Sequence, residues 1–431
     1  MPHFPKPAEG SWTEHYPRLG TQPVSYDDCT SAEYYELERD AVFARTWLNV
    51  GRVEQVPRVG SYFTKELDAA RTSVLIVRSG TDEIRAFHNI CRHRGNKLVW
   101  SDFPAEPTSG MCRQFACKHH GWRYALDGTL NFVQQEDEFF DLDKADYPLA
   151  SVQCEVWAGF IFVNVDPQNS TSLNEYLGEP GAGIAQYPFE RLTQTHTYRA
   201  EVGSNWKLFV DAFTEFYHAP ILHARQAVAD ESVKLQQYGY EALHYGIDGP
   251  HAVVSSWGGM APPKDLDMVK PIERVLRSGL FGPWDAPDIG VDPMSMPGLN
   301  GGRHKAWGLD SFLFYPNFMI LIWRPNWVLT YHYWPTSYNT HIFEGTCYFV
   351  PPTNARERLA QELAVVTFKE YALQDGNTLE ATQRMLESRT PVTQFPLGDQ
   401  EVLLRHLHVT TREFVEEFQK AVVGSAQGGD R

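Results

Sequence analysis

Four side chains in two short segments could bind a metal cluster. Cys91 and His93 form the first pair, and Cys117 and His120 form the second. Two cysteines and two histidines in closely spaced turns are the ligand set of a [2Fe–2S] centre in which histidine replaces cysteine on one iron. Neutral imidazole gives such a cluster less negative charge than four thiolates, which raises its reduction potential. A structural zinc site or a disulfide would use similar residues, so the spacing alone leaves three interpretations open.

A second set of candidate ligands lies further along the chain. From Asn205 onward, apolar residues recur at the three- and four-residue spacing of a helix. Glu215 and His218 are three residues apart and would share a helix face. His223 would lie about 140° round the helix from His218, so both histidines can reach one ion only if the helix breaks, and we expect Pro220 to break it. Two histidines with a carboxylate leave open positions on Fe(II) for dioxygen, although core or surface histidines would also explain the pair.

The residues around the cysteine–histidine pairs narrow these interpretations. They read CRHRG around the first pair and CKHHGW around the second, and a histidine pair follows further along. In these features the chain resembles the Rieske non-haem iron oxygenases, the family of aromatic ring-hydroxylating dioxygenase alpha subunits. The resemblance implies that Cys91, His93, Cys117 and His120 hold a Rieske [2Fe–2S] cluster, and it disfavours zinc and a disulfide.

Two neighbouring residues compete for places in this ligand set. Cys112 is also available, but Phe115 occupies the third position after it, where Cys117 has a histidine. His119 precedes His120 directly and could replace it. The family pattern has an aromatic residue at the place of His119, so the resemblance favours His120 as the ligand.

The resemblance also supplies the third ligand of the mononuclear iron. Asp375 precedes Gly-Asn and is followed by Glu380 and Gln383, as is the iron-binding aspartate of the family. An aspartate before Gly-Asn is otherwise a common turn residue. The resemblance therefore implies that His218, His223 and Asp375 bind iron.

Glu215 has a catalytic role by the same resemblance. In the family, a carboxylate three residues before the first iron-binding histidine bridges the iron site to a cluster-binding histidine of a neighbouring subunit. Glu215 has this position relative to His218. Many members have aspartate there, whereas glutamate is similar to the choline- and carnitine-type branch. A solvated helical glutamate is the alternative interpretation.

Two domains are needed to position these side chains. A chain of 431 residues is too long for a single cluster-binding module. Short β-type runs surround the first site, and helices alternate with longer strands further on. Together with the resemblance, this predicts an α+β protein. Its parts are an N-terminal segment at 1–45 that packs on the catalytic domain, an all-β Rieske domain at 46–168, and a helix-grip (START-like) catalytic domain at 169–431 with a central antiparallel sheet.

Composition excludes several classes of protein. The net charge is −16 without a basic run, which argues against nucleic-acid binding. The six cysteines lack the spacing of a disulfide framework and fit a reducing cytoplasm. We see no secretory signal at the start. The most apolar stretch, Phe312–Trp323, contains Pro316 and is too short to span a bilayer, so we expect a cytoplasmic protein without a membrane partner.

The resemblance implies an oxidoreductase with partners. No Gly-x-Gly-x-x-Gly loop is present, so electrons from NAD(P)H would come through a separate reductase or ferredoxin to the [2Fe–2S] cluster and then to mononuclear Fe(II). A homotrimer is expected, in which the cluster of one subunit serves the iron of the next, and a β subunit could accompany it.

The substrate is predicted from the aromatic content. The chain has 25 Phe, 20 Tyr and 12 Trp, and the main expectation is hydroxylation of an apolar aromatic or polycyclic compound in aromatic hydrocarbon catabolism. Because of Glu215, the alternative is a monooxygenase or demethylase for a choline- or carnitine-type quaternary ammonium compound, held in an aromatic cage by cation–π contacts. A non-catalytic Rieske electron carrier is a further alternative.

Overall fold

The structure, a computed structural model, describes residues 11–101, 107–223, 242–256, 266, 269–279, 282–305, 307–324, 326–388 and 392–428. The chain divides into two compact units. The β unit is Arg39–Tyr176, and the mixed unit combines Met1–Glu38 with Leu177–Arg431. The sequence predicts the boundaries of the first domain at 46 and 168, so the β unit begins earlier and ends later by several residues.

An antiparallel sheet of seven strands forms the centre of the β unit. In spatial order, the strands are Leu48–Arg52, Phe160–Asn164, Ser151–Trp157, Glu83–His88, Thr72–Gly80, Ser61–Leu67 and Ser109–Met111. A smaller sheet consists of Phe115–Ala116, Arg123–Tyr124 and Leu130–Phe132. Short helical turns lie at Arg39–Phe43, Val53–Gln55, Asp68–Ala70, Glu136–Glu138 and Lys144–Asp146. One hydrophobic core joins residues of both sheets, and Cys91 and Cys117 belong to it.

A second antiparallel sheet of seven strands is the centre of the mixed unit. In spatial order, the strands are Gln194–Val202, Thr340–Phe349, Trp327–Ser337, Phe318–Trp323, Leu309–Phe314, His251–Ser256 and Ala242–Asp248. The apolar stretch Phe312–Trp323 belongs to two of these strands, and every residue of Phe318–Trp323 is buried. Both strands are therefore part of the sheet core.

The helices of the mixed unit include two that contain or flank the candidate iron ligands: Asp375 lies in Ala355–Leu386, and His218 and His223 flank Ala219–Leu222. The others are Ser11–His15, Ala32–Glu38, Trp206–Thr214, Pro271–Leu276 and Val402–Gly428. Helix Leu173–Ile184, which is interrupted at Gly178, begins in the β unit and ends in the mixed unit. Short helical turns lie at Pro17–Leu19, Asp27–Cys29, Phe189–Arg191 and Asp399–Glu401. Two small strand pairs join Val24–Ser25 to Gln394–Phe395 and Ser278–Gly279 to Gly282–Pro283. Among the described residues, no helix is both long enough and apolar enough to cross a bilayer.

Buried charges connect three segments of the mixed unit. Lys207 and Glu38 form an ion pair in which both side chains are fully buried. Nearby, the Nε2 atom of His408 lies 3.1 Å from an oxygen of Asp211, and its Nδ1 atom lies 3.7 Å from Asp28. These contacts join the N-terminal segment to helices Trp206–Thr214 and Val402–Gly428. Removing one member of such a network leaves a buried charge without compensation, which is strongly destabilising.

His408 makes the stability of this unit depend on pH. Burial by itself lowers the pKa of His408, but the carboxylates of Asp211 and Asp28 outweigh burial and raise this pKa to about 9. An unfolded histidine has a pKa of about 6.5. Because the folded state binds the proton more tightly, this contribution to stability is complete below about pH 6.5 and is lost as the pH rises through about 9.

We predict that His408→Gln destabilises the protein more at pH 6 than at pH 9.5. The gap in free energy of unfolding between wild type and variant should shrink by up to about 3 kcal/mol over this range, because one pKa unit corresponds to about 1.4 kcal/mol. Chemical unfolding at both pH values measures the gap. As a control, His406→Gln removes a buried histidine whose pKa is lowered to about 3. The difference in free energy of unfolding between wild type and this variant should grow slightly from pH 6 to pH 9.5. An equal gap for His408→Gln at both pH values would contradict the prediction.

Candidate metal centres

The two cysteine–histidine loops of the β unit share one backbone geometry. The N–H of Cys91 donates to the carbonyl five residues later at 2.8 Å, and the N–H of Gly95 donates back to the Cys91 carbonyl at 3.1 Å. The second loop repeats both bonds at Cys117 and Gly121, each at 2.9 Å. The φ angles of Gly95 and Gly121 are 73° and 75°, a region that glycine adopts without steric cost. The loops therefore present their histidines in related orientations.

The structure brings the four predicted cluster ligands together. Cys91 and Cys117 are buried in the same core, and the ring centroids of His93 and His120 are 4.6 Å apart. The Nδ1 atom of His93 is buried without a hydrogen-bond partner, which a ligated iron would explain. This donor set and its separation into two loops fit a [2Fe–2S] cluster.

His119 and Cys112, the two residues that compete for a place in the ligand set, occupy different positions from the four predicted ligands. The exposed ring of His119 lies against His120, with centroids 3.7 Å apart, and the ring of His120 is the one that approaches His93. Cys112 lies at the end of strand Ser109–Met111, where its N–H donates to the carbonyl of Gly60 at 2.9 Å. It is outside both loops.

Tyr124 is a component of the cluster site that sequence reasoning missed. Its hydroxyl oxygen accepts the N–H of Arg92 at 3.0 Å and lies 3.3 Å from the Sγ atom of Cys91. A cysteine that binds a cluster is a thiolate and carries no hydrogen, so the Tyr124 hydroxyl would donate its hydrogen to this sulfur. A hydrogen bond to a cluster sulfur stabilises the more negative, reduced state and raises the potential.

We predict that Tyr124→Phe lowers the reduction potential of the cluster by about 60 mV. This is the effect of one hydrogen bond worth about 1.4 kcal/mol more in the reduced state. A redox titration followed by visible absorption measures it. Tyr147→Phe is the control, because the ring of Tyr147 contacts Trp122 at 6.4 Å rather than a cysteine. Equal potentials for Tyr124→Phe and the control would refute the bond.

The candidate iron ligands lie on a segment that differs from its predicted form. Helix Trp206–Thr214 begins after Asn205, whose side chain accepts the N–H of Lys207 at 2.9 Å, a typical N-cap. The helix ends at Thr214, and the next helix, Ala219–Leu222, contains Pro220 in its first turn. The prediction of an unbroken helix from Glu215 to His218 with a break at Pro220 is therefore wrong.

The carboxylate of Glu215 explains the early end of this helix. It accepts the backbone N–H groups of Tyr217 and His218, the latter at 3.1 Å. A side chain that binds nearby backbone N–H groups offers the chain an alternative to the helical pattern. Pro220 falls in the first turn of the following helix, where its missing N–H costs nothing. Glu215 still reaches His218, but through this turn and not across a helix face.

The structure brings His218, His223 and Asp375 to one point. The Nε2 atoms of His218 and His223 are 3.2 Å apart, and the Oδ1 atom of Asp375 lies 3.7 Å and 3.5 Å from them. Asp375 is only 2% exposed, and this oxygen has no hydrogen-bond partner. A cation between the three atoms would satisfy it. Two histidines and one carboxylate on one side of Fe(II) are the facial arrangement of non-haem oxygenases.

Side-chain oxygens orient both histidines. The Nδ1 atom of His218 is hydrogen-bonded to Glu215, and that of His223 is 2.7 Å from the Oε1 atom of Gln374. These partners keep the proton on Nδ1, so each Nε2 lone pair points to the site. Sequence reasoning missed the role of Gln374, although it directly precedes Asp375. Both residues belong to helix Ala355–Leu386, so Asp375 is not a turn residue.

Burial shifts the pKa values of the candidate iron ligands. It raises the pKa of Asp375 to about 7 and lowers that of His223 to about 4. Burial also lowers the pKa of His218, but Glu215 outweighs this effect and the pKa is raised. Neutral His223 is the form that binds metal, and a divalent cation would favour the ionised form of Asp375.

We predict that Gln374→Leu weakens mononuclear iron binding by about 10- to 100-fold, the usual effect of losing a group that orients a ligand histidine. Iron titration of protein with an intact cluster measures this. Gln361→Leu is the control, since it removes a 2.8 Å bond from the same helix to the carbonyl of Val350 without touching a histidine. Equal iron affinity in both variants would show that Gln374 does not support the site.

A cavity of about 280 Å³ lies beside the candidate iron ligands. His218, Asp375 and Glu215 form part of its wall, and helix Trp206–Thr214 contributes Asp211. A second hollow of about 690 Å³ shares several wall residues with it, including Phe395, and continues towards Met385. The site therefore has space for a small ligand within reach of the iron ligands.

Two family models match the chain. The model described as Rieske [2Fe-2S] domain matches residues 46–151. The model described as ring hydroxylating alpha subunit (catalytic domain) matches residues 189–417, more than half of the chain. The two matches contain all the cysteine, histidine and aspartate residues discussed above as metal ligands.

Two curated relatives illustrate the range of similar proteins. The carnitine monooxygenase oxygenase subunit of Escherichia coli is 31% identical over 230 residues, which are 51% of this chain and 58% of that protein. The benzene 1,2-dioxygenase subunit alpha of Pseudomonas putida is 33% identical over 205 residues, which are 44% of this chain and 42% of that protein. The chain thus spans about half the length of the curated relatives it matches.

A solved structure shares the fold. A quaternary ammonium Rieske monooxygenase in complex with L-carnitine matches with a TM-score of 0.67 at 19% identity, covering 95% of this chain and 99% of that chain. This similarity confirms the predicted α+β architecture, in which a Rieske domain is combined with a catalytic domain containing a large antiparallel sheet.

Proposed function

The chain belongs to the Rieske non-haem iron oxygenases of the ring-hydroxylating alpha subunit family, and on this basis we propose that it is the terminal oxygenase of a multicomponent system. Its proposed substrate is a compact quaternary ammonium compound of carnitine or choline type. Dioxygen, two electrons and two protons would convert a C–H bond of the substrate to C–OH and release water. The electrons would come from NAD(P)H through a separate reductase or ferredoxin.

The convergence of His218, His223 and Asp375 is the observation that carries the oxygenase proposal. Three protein ligands leave other positions of Fe(II) open for dioxygen, which supplies the oxidation chemistry. The chain contributes the geometry, because Glu215 and Gln374 fix the two imidazoles. Cys91, His93, Cys117 and His120 would bind the cluster that supplies electrons. A non-catalytic electron carrier would have no use for the second site.

Similarity to known proteins supports the quaternary ammonium substrate. Carnitine and choline monooxygenases are among the relatives, and one of several structural neighbours is a quaternary ammonium monooxygenase. These findings favour the alternative expectation from the sequence over the main one.

An aromatic substrate is the second candidate. The benzene dioxygenase relative supports it. The two candidates differ in charge, because a quaternary ammonium group must be stabilised electrostatically inside the cavity, whereas an arene needs apolar walls only.

A substrate screen distinguishes these candidates. The purified chain with both metals and a surrogate reductase would receive carnitine, choline or benzene, and oxygen uptake coupled to product formation would be measured. We expect coupled turnover with a quaternary amine. Coupled turnover with benzene alone would contradict the proposed substrate class and leave the oxygenase class intact.

Glu215 is the proposed electron bridge between subunits of a homotrimer, which a β subunit could accompany. Its carboxylate binds Nδ1 of His218, so it is already connected to the iron site. A cluster histidine of the neighbouring copy, His93 or His120, would approach the same carboxylate. The family resemblance supports this arrangement, and the hydrogen bond to His218 supplies half of the bridge.

We predict that Glu215→Gln retains both metals but slows turnover by about 100-fold, the upper end of the range for losing a partner of a ligand histidine. The cluster should reduce normally and reoxidise slowly, as measured by stopped-flow absorption. Glu380→Gln is the control, because Glu380 accepts the N–H of Gly203 at 3.0 Å and contacts no ligand. Normal reoxidation in Glu215→Gln would refute the bridge.

A further inference from the structure

We propose that Phe140 of one copy of this chain inserts into the hollow of about 690 Å³ on a second copy, next to the candidate iron ligands of that copy. The inference rests on the proposed function, because a homotrimer must bring the cluster of one subunit to Glu215 of the next. It goes beyond that function by assigning an apolar contact that would hold the two redox sites together.

Phe140 has the most exposed large apolar side chain among the residues that the structure describes. Its exposure is 99%, so the ring gains nothing from burial within the chain. Single exposed apolar residues are common on protein surfaces, and the location of Phe140 therefore decides whether its exposure matters. Aromatic residues are enriched where proteins associate and often contribute most of the binding energy.

Phe139 places its neighbour Phe140 at the edge of the cluster site. The ring centroid of Phe139 lies 5.7 Å from that of His93 and 5.7 Å from that of Trp122. Consecutive Cα atoms are only about 3.8 Å apart, so Phe140 follows directly after a ring that covers a predicted cluster ligand. A protein surface that approaches His93 would therefore also meet Phe140.

The receiving hollow is mainly apolar and adjoins the iron site. Its apolar wall residues are Ala381, Met385, Leu386, Val392 and Phe395. Met385 is 64% exposed and Val392 is 51% exposed. Leu386 and Phe395 also belong to the wall of the cavity that Glu215 borders. A partner subunit whose cluster histidine reaches Glu215 would therefore come to lie over this hollow.

The charges beside the two surfaces favour the same pairing. Phe140 is preceded by Asp137 and Glu138 and followed by Asp141, which makes its surroundings acidic. On the receiving side, Arg384 directly precedes Met385, and its side chain is 76% exposed. Its ion pair with Glu380 within the same helix is long, at 3.6 Å. Opposite charges around an apolar contact guide the approach of two proteins and exclude wrong partners.

Cross-linking between copies tests the contact directly. Two full-length chains with both metals are co-expressed, one with Phe140→Cys and the other with Met385→Cys, and are treated with a short bis-maleimide reagent. We expect a linked peptide that joins the two substituted positions, identified by mass spectrometry. Val392→Cys provides a second position in the hollow. Val156→Cys is the control for Phe140→Cys, because Val156 is 47% exposed in the same unit but lies on strand Ser151–Trp157.

A second measurement tests whether the contact stabilises the assembly. Phe140→Ser should raise the concentration at which the assembly dissociates by about 30-fold, the size expected for one aromatic hot spot. Sedimentation velocity over a dilution series measures this, and Val156→Ser should leave the assembly unchanged. The ring of Phe140 contributes nothing to the folded core, so both variants should keep the thermal stability of the wild type.

Three results would overturn the inference. One is the absence of a link from Phe140→Cys to both Met385→Cys and Val392→Cys, and another is equal weakening of the assembly by Phe140→Ser and Val156→Ser. The third is an unchanged assembly of Phe140→Ser whose cluster is reduced more slowly by a surrogate reductase, which would assign Phe140 to the electron donor. If any of these occurs in a protein that still oxidises its substrate as a trimer, the proposed function stands. A fully active monomeric wild type would refute the bridge between subunits as well.

Discussion

The buried carboxylate of Asp375 is the constraint on which the catalytic centre depends. A carboxylate oxygen in the protein interior without a hydrogen-bond partner is unfavourable unless a cation compensates it. Among the residues that the structure describes, the Nε2 atoms of His218 and His223 are positioned to complete a metal site with this carboxylate. Helix Ala355–Leu386 fixes the carboxylate, and Glu215 and Gln374 fix the imidazoles. The surrounding fold serves to hold three atoms at a separation that one metal ion can bridge.

The network around His408 applies the same principle to stability. It joins the N-terminal segment to two helices through ion pairs between buried side chains. Because the paired carboxylates favour the protonated form of His408, the stability that this histidine contributes depends on pH.

Local sequence predicted the parts of the site that depend on spacing, and missed the parts that depend on tertiary contacts. The cysteine–histidine pairs and His218 with His223 were recognisable, whereas Asp375 needed the family resemblance because its surroundings resemble a turn. The helix prediction around Glu215 was wrong, since its side chain binds backbone N–H groups that an unbroken helix would use. Tyr26 borders the cavity because the strand before it, Val24–Ser25, pairs with Gln394–Phe395 far along the chain, which no local pattern indicates.

The central claim is that this chain holds one iron that is separate from its cluster. The most direct test measures iron and sulfide content in the wild type and in a variant of the mononuclear site. The account predicts two irons and two acid-labile sulfides in the cluster and a third iron that is lost in Asp375→Ala without loss of sulfide. An Asp375→Ala protein with its iron content unchanged would contradict the account, and so would wild type with only the two irons of the cluster.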